Sequence, residues 1–261
     1  MDILFLGSGT SHGIPMIGCD CPVCRSDDPR DRRFRASLAV QLPDWPPTDG
    51  RVILIDVSPE FRLAAVRDRL ARVDAILFTH GHADHIMGLD DVRRYNRLGA
   101  AIPCYADGPT LEKVRRCFGY AVTPYNASPD RPSITLDLLT SPREICGVTV
   151  TPIPLHHGRA MIQGYRIGGL AYCTDCSGIP DESCALLAGL DVLVIDALRH
   201  RPHEAHFNLE QALAAVARIA PRRALLTHIA HEIGHAKTSA HLPAGVEIAY
   251  DGLRVPVEPG P

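Results

Sequence analysis

The chain has 261 residues, 46% of them hydrophobic, and a formal charge of −3, so it has enough apolar material for the large core of a soluble globular protein. This charge excludes a broadly basic surface and does not favour nucleic acid as a partner. No apolar run approaches the roughly 20 residues of a membrane span, and the start of the chain lacks the features of a signal peptide, so we expect a cytoplasmic protein without membrane contact.

The first part of the chain alternates predicted strands with turns. The glycine-rich turn from Gly7 to Gly13 lets the backbone pass close to another segment. A helix is predicted from Pro59, because four apolar residues after it share one helical face. These residues are Leu63, Val66, Leu70 and Val73. The predicted strands are Asp2–Leu6, Ala36–Leu42, Val52–Asp56 and Ala75–Phe78.

Three cysteines cluster at residues 19–24, where Cys19, Cys21 and Cys24 form a C-x-C-x-x-C knuckle. In a reducing compartment, clustered cysteines more often bind metal than form disulfides. Structural zinc is tetrahedral, so a fourth ligand must come from elsewhere in the chain. The charged stretch from Asp27 to Arg35 follows, and we interpret it as a solvated face with one or two arginines available for a substrate phosphate.

Three imidazoles and a carboxylate follow the strand Ala75–Phe78 within seven residues. They belong to His80, His82, Asp84 and His85. Neutral imidazole nitrogen is a good ligand for Zn, Mn or Fe ions, and a carboxylate adds an oxygen ligand. The spacing therefore predicts a metal site at the end of a buried strand.

The later strands end in the same kinds of residue. The predicted strands Val148–Ile153, Leu170–Thr174, Val192–Asp196 and Arg223–Thr227 lead to His157, Asp175, Asp196 and His228. If the carboxyl ends of these strands lie at the same edge of the fold, these side chains converge on the histidine loop. Asn208 is predicted to cap a helix, and the chain ends in a predicted hairpin of Ile248–Tyr250 and Leu253–Val255.

The segment Thr79 to His85 reads T-H-x-H-x-D-H, and the chain therefore resembles the metallo-β-lactamase superfamily. The resemblance implies a mixed fold of helices and strands, α/β (α+β) in class. Its architecture would be an αββα sandwich formed by a single domain over residues 1–261. It also implies two divalent metal ions, Zn or Mn, which share a hydroxide nucleophile. By the family's pattern, His80, His82 and His157 bind the first ion, Asp84, His85 and His228 bind the second, and Asp175 bridges both. Asp56 is expected to orient one of these ligands.

A narrower resemblance rests on the cysteine knuckle, on Leu155-His156-His157 and on the run Leu226 to His231. These look like the phosphoribosyl cyclic phosphodiesterase family of phosphonate breakdown. That likeness implies a structural zinc held by Cys19, Cys21, Cys24 and His231. It also implies a histidine acid that protonates the leaving alkoxide, and His206 matches best. We count Asp84 with His206 as catalytic, while His200 and His203 are expected at the surface or beside the substrate.

The favoured hypothesis is thus a hydrolase that opens a small cyclic phosphate of the ribose or nucleoside type by attack of a metal-bound hydroxide. Its partner would be the small phosphodiester substrate, and a homodimer is compatible with the sequence. A ribonuclease Z-like RNA endonuclease is the alternative among enzymes, because it shares the same ligands. A metal-containing binding or carrier protein, similar to the quinone-cofactor biosynthesis protein, is the alternative of another class. A carbonyl substrate, as in a lactamase or thioesterase, also stays open.

Overall fold

Two seven-stranded mixed sheets form the centre of the protein. The computed structural model describes residues 1–43, 50–96, 100–122 and 131–258. In chain order, the strands are β1 (Asp2–Gly7), β2 (Ser37–Gln41), β3 (Val52–Ile55), β4 (Ala75–Leu77), β5 (Ile102–Ala106), β6 (Ile134–Leu138), β7 (Arg143–Ile145), β8 (Val148–His157), β9 (Ala160–Ile167), β10 (Leu170–Cys173), β11 (Val192–Asp196), β12 (Arg223–Thr227), β13 (Val246–Ile248) and β14 (Arg254–Pro256). The predicted strands are therefore present, with ends that differ by a few residues.

Helices cover the outer faces of the sheets. They are α1 (Phe61–Arg67), α2 (Ala83–Ile86), α3 (Gly108–Phe118), α4 (Asp181–Ala185), α5 (Leu209–Ile219) and α6 (His235–Ser239), with 3-10 turns at Pro29–Asp31 and Leu89–Tyr95. Asn208 caps α5 as predicted. Its side chain accepts a hydrogen bond from the Gln211 backbone N–H, and the Gln211 side chain accepts one from the Asn208 backbone N–H. None of the helices in the described ranges is long and apolar enough to cross a membrane.

The two sheets have matching organisations. The first has the order β14-β1-β2-β3-β4-β5-β6 and the second β13-β12-β11-β10-β9-β8-β7. In each, four neighbouring strands run parallel: β3 to β6 in one, and β10 to β13 in the other. Parallel strands have their carboxyl ends at a common edge, so the loops that follow them meet there.

Apolar side chains form three layers around the sheets. Phe5 and Leu225 belong to the cluster between the sheets. Phe61 of α1 and Val114 of α3 pack on the outside of the first sheet, and Ala212 of α5 packs on the outside of the second. The order of layers is helix, sheet, sheet, helix, which confirms the predicted αββα sandwich.

The predicted apolar face of the first helix is wrong in part. Leu63 is 47% exposed and Val66 is 69% exposed, whereas Leu70 and Val73 are buried. Phe61 and Ala64 form the buried side of α1 instead. The helix ends at Arg67, so the four positions do not lie on one continuous helix and the assumed spacing does not hold beyond it.

The predicted terminal hairpin is also wrong. Strand β13 pairs with β12 in the second sheet, and β14 pairs with β1 in the first. The Asp251-Gly252 turn therefore carries the chain from one sheet to the other. The Asp251 carboxylate accepts hydrogen bonds from the Ser8 backbone and hydroxyl and from the Phe34 backbone. These bonds join three distant segments at the crossover.

The charged stretch after the knuckle is not simply a solvated face. Arg33 is only 1% exposed and lies 3.0 Å from the Asp31 carboxylate. Arg33 also donates to the Ile233 carbonyl, while Asp31 accepts from the His235 backbone N–H. The buried pair thus ties the segment after the cysteines to the segment after β12.

Candidate metal centre

Three polar residues at strand ends have left-handed backbone conformations. The φ angles are 60° at Asp56, 56° at Asp175 and 58° at His228. Asp56 follows β3, Asp175 follows β10 by one residue, and His228 follows β12. Such a conformation is costly for a residue with a side chain, and it concentrates at functional sites. It turns these side chains out of the strand directions towards the sheet edge.

His80, His82 and His157 form the first group of converging ligand atoms. The His80 Nε2 and His82 Nδ1 atoms are 2.9 Å apart. His157 donates through Nδ1 to the Ala205 carbonyl at 2.9 Å, which leaves Nε2 for the site. Burial, and then the neighbouring His85, hold the pKa of His80 well below its usual value. Its imidazole is therefore neutral at pH 7, the form that binds metal.

Asp84, His85, Asp175 and His228 form the second group, and all four are buried. Asp175 Oδ1 lies 3.3 Å from His85 Nε2, and Asp175 Oδ2 lies 3.3 Å from His228 Nε2. The same Oδ2 is 3.8 Å from His80 Nε2 of the first group. Asp175 therefore faces both groups, and the bridging role that the resemblance implies for it stays a prediction.

The donor set fits two divalent cations. His85 Nε2 and His228 Nε2 are buried and have no hydrogen-bond partner among the described residues. Leaving a buried polar atom unpaired costs about 1–3 kcal/mol, and a cation between these nitrogens and the carboxylates would remove that cost. Burial opposes ionisation of Asp175, but His228 and His85 outweigh it and hold its pKa well below the usual range. An ionised carboxylate is what a metal ligand requires.

Asp56 orients one of the histidines, as predicted. Its carboxylate accepts from the Thr79 backbone N–H and hydroxyl, both at 2.8 Å, and from His85 Nδ1 at 2.7 Å. The bond to Nδ1 fixes the His85 ring with Nε2 towards Asp175. Carboxylates in this position hold a metal-binding imidazole in one tautomer.

Asp196 has a role that sequence reasoning did not assign. Its Oδ2 accepts from His206 Nδ1 at 2.9 Å, and its Oδ1 lies 3.7 Å from His228 Nδ1. The ring of His206 stacks on that of His228, with centroids 4.8 Å apart. The position of Asp196 at the end of β11 was visible in the sequence. Its contact with His206, ten residues later, depends on the loop between them.

The side chains of the cysteine knuckle and of His231 lie together. The His231 Nδ1 atom lies 3.1, 3.5 and 3.7 Å from the sulfurs of Cys19, Cys21 and Cys24. Tetrahedral zinc with Zn–S near 2.3 Å and Zn–N near 2.0–2.1 Å requires separations of about 3.5 Å. Backbone N–H groups of Met16 and Cys24 also point to the sulfurs of Cys24 and Cys21. The four donors fit one zinc ion.

A cavity of about 490 Å³ opens above the two histidine groups. His82, Asp84 and His228 line its floor, and His206 and Arg201 line its wall. Burial, and then the neighbouring His228, lower the pKa of His206 to about 4. Among the other loop histidines, His203 lines this cavity with its ring 5.0 Å from that of His206. His200 lines a different cavity, beside the knuckle.

Comparison with known proteins gives a family match over residues 51–229, to the beta-lactamase superfamily domain. A diphosphatase of the PhnP family is similar in structure, with 42% identity, a TM-score of 0.90 and coverage of 99% of this chain and 98% of that one. Zn²⁺-bound PqqB from Methylobacterium extorquens shares the fold at 22% identity, with a TM-score of 0.77 and coverage of 98% and 100%.

In sequence, the chain is 37% identical over 265 residues to an octanoyltransferase of Porphyromonas gingivalis. The match covers 99% of this chain and 52% of the relative, so the chain spans about half the length of that protein. The coenzyme PQQ synthesis protein B of Rhodopseudomonas palustris is 25% identical over 312 residues, which is 97% of this chain and 98% of the relative.

Proposed function

This chain belongs to the beta-lactamase superfamily, and from that premise we propose that it is a dinuclear metal-dependent phosphodiesterase acting on a small cyclic phosphate of the ribose or nucleoside type. The coarser statement, a hydrolase with the metallo-β-lactamase fold, follows from the family match and from the PhnP-family neighbour. The observation that carries the proposal is the position of Asp175, which belongs to one ligand group, faces His80 of the other and lies beside His206.

In this proposal, His80, His82 and His157 would hold one cation, Asp84, His85 and His228 would hold the other, and Asp175 would serve both. The chemistry that such a pair of cations supplies is activation of water and neutralisation of the charge that develops on a phosphoryl group. Other residues of the protein fix the orientation of the ligand side chains. Asp56 fixes His85 by its bond to Nδ1, and the Ala205 carbonyl fixes His157 in the same way.

His206 is proposed as the acid that protonates the leaving ribose oxygen. Asp196 accepts from its Nδ1, so Nε2 is the atom free to act on a substrate. The lowered pKa of His206 means that the imidazole is neutral at pH 7 in the free protein. A bound anionic phosphate beside the ring favours the protonated form and opposes this shift. Bound phosphate would therefore raise the pKa of His206 towards the range in which the imidazole can act as an acid.

The first test combines metal analysis with a substrate panel. The zinc- or manganese-loaded protein should open ribose and nucleoside cyclic phosphates, and His206→Ala should lower turnover by about a hundredfold or more with unchanged metal content. The exposed His241→Gln is the matched control. If no phosphodiester of the panel is cleaved, the proposal fails. Equal turnover in His206→Ala and the control would remove His206 from the mechanism.

Hydrolysis of a diphosphate is a second candidate, because the PhnP-family neighbour at 42% identity is a diphosphatase. A nucleoside diphosphate ester belongs in the same panel, and faster cleavage of it than of any cyclic phosphate would favour this candidate. Precursor tRNA and an octanoyl thioester test the ribonuclease and acyl-group alternatives. Metal binding without turnover of any substrate would favour a binding or carrier protein.

A further inference from the structure

A second cavity, of about 430 Å³, lies against the same histidines. It shares His80, His82 and His157 with the metal centre, but His206 does not line it. Its size falls within the range of about 300–1,000 Å³ that small-molecule sites occupy. A group attached to a phosphate at the metal centre can therefore extend into this cavity while the leaving oxygen stays beside His206.

Lys113 of α3 lines the second cavity and is held against the histidine loop. A Cβ atom added to Gly81 would lie 2.9 Å from Lys113 Cγ and 3.0 Å from its Cβ. The aliphatic stem of Lys113 therefore packs directly over Gly81, between His80 and His82 in sequence. Within the described part of the chain, no carboxylate forms an ion pair with Lys113. Its charge is thus available to an anion in the second cavity, which the Asp107 carboxylate also lines.

Two methionines form the apolar side of the same cavity. Met87, just after α2, is 42% exposed, and Met161, in β9, is 49% exposed. Thioether sulfur makes favourable contacts with aromatic rings, and its flexible chain adapts to flat ligands. Two exposed methionines that come from separate elements and line one cavity favour an aromatic occupant over a polar one.

The first cavity offers a different surface. Arg201 at its wall forms two bonds to the Glu232 carboxylate, at 2.8 and 3.2 Å. The guanidinium of Arg199 donates to loop carbonyls of residues 201 and 202. The arginines on that side are therefore already partnered, although Met16 and Leu198 also line this cavity. Among the described residues, two exposed methionines and a cation without an ion-pair partner lie together in the second cavity.

We propose that the second cavity is a subsite for an aromatic ring on the retained side of the phosphate ester, such as the base of a nucleoside phosphate. Met87 and Met161 contact the ring, and Lys113 attracts the phosphate. This inference rests on the proposed phosphodiesterase function. It makes nucleoside phosphates, rather than unsubstituted ribose phosphates, the preferred substrates.

Two synthetic esters with the same leaving group test the subsite. Thymidine 5′-(p-nitrophenyl) phosphate carries a base on the retained side, and methyl p-nitrophenyl phosphate does not. In the metal-loaded enzyme, Met87→Ala with Met161→Ala should raise KM for the thymidine ester by about two- to tenfold and leave the methyl ester unchanged. Leu63→Ala, at a similarly exposed residue that lines neither cavity, should change neither.

Lysine and methionine modification gives a readout that does not depend on turnover. The chain has two lysines, Lys113 and Lys237, and four methionines. Adenosine monophosphate bound to the metal-loaded protein should protect Lys113 from acylation, and Met87 and Met161 from oxidation. Ribose 5-phosphate should protect Lys113 only. Lys237 and Met1 serve as internal controls and should react equally in every sample.

The outcomes separate the two proposals. If neither ester and no cyclic phosphate of the panel is cleaved but adenosine monophosphate protects Met87 and Met161, the phosphodiesterase function fails and the aromatic subsite stands. If both esters are cleaved, and the methionine variants retain wild-type KM while the methionines stay unprotected, the subsite is refuted and the phosphodiesterase function stands.

Discussion

The two proposed metal sites differ in what holds their ligands in place. The dinuclear ligands lie at the ends of core strands, and Asp84, His85, Asp175 and His228 are all buried. In the knuckle, Cys19, Cys21 and His231 are only partly buried, and the cysteines lie in turns rather than in strands or long helices. Core packing stabilises the first arrangement, whereas the second depends on its metal. Removal of the metal ions should therefore abolish activity at the first site without unfolding it, and should disrupt the local structure of the second site.

The largest effect is expected at the residue that faces both ligand groups. Asp175→Asn keeps the shape but removes the negative charge shared by the two cations. Turnover should fall by about a thousandfold, equivalent to about 4 kcal/mol of transition-state stabilisation. Circular dichroism should show an intact fold, because strands position the site. Asp181→Asn, at an exposed carboxylate, is the control. Unchanged turnover and metal content in Asp175→Asn would contradict the shared-ligand role.

The link between the two sites is expected to show the next largest effect, on stability. Arg33→Met leaves the buried Asp31 carboxylate without its cation. The free energy of unfolding of the metal-loaded protein should fall by about 3–5 kcal/mol, measured by urea denaturation. The adjacent exposed Arg32→Met should change it little. If both variants unfold alike, the buried pair does not connect the knuckle to the core.

Removing a knuckle ligand should have a smaller effect on activity. Cys21→Ser should lower the metal content by one equivalent and speed trypsin cleavage after Arg25. Turnover should change less than tenfold, because the strand-end ligands are separate from the knuckle ligands. Cys117→Ser, at a cysteine outside the knuckle, should behave as the wild type. A loss of turnover as large as in Asp175→Asn would show that the two sites are not independent.

The last effect concerns the dependence of stability on pH. Burial, and then Arg30, lower the pKa of His235 from 6.5 to about 4. The unfolded chain therefore binds a proton between these values and the folded protein does not, so stability falls as pH drops from about 6.5 to about 4. His235→Gln should reduce this pH-dependent loss by about 2 kcal/mol. Chemical denaturation across this range measures it, with the exposed His241→Gln as control. Parallel curves for all three proteins would exclude His235 as the cause.

The sequence predicted the strand-end ligands because their signals are local. His80 to His85 lie within one short loop, and each later ligand follows an apolar run. Parallel strands then bring such ends to one edge. The left-handed backbone at Asp175 and His228 has no such signal, because nothing beside these residues marks a positive φ.

Other features were hidden because they depend on distant partners. The Asp251-Gly252 turn is a correct local signal. However, β13 and β14 do not pair with each other, because each adds to the edge of a different sheet, β13 beside β12 and β14 beside β1. Arg33 lies in a charged run, and it can be buried because the Asp31 carboxylate and the Ile233 carbonyl accept hydrogen bonds from its guanidinium group. Lys113 has no motif at all, and only its packing on Gly81 relates it to the metal centre.

The crossover at Asp251 also affects the order in which the protein can fold during synthesis. Strand β1 pairs on one side with β2 and on the other with β14, more than 240 residues later. Until β14 leaves the ribosome, one edge of β1 has exposed N–H and C=O groups that can pair with another chain. Because this contact is between distant parts of the chain, it is slow to form. The nascent chain is therefore prone to aggregation through β1 until β14 has been synthesised and has paired with it.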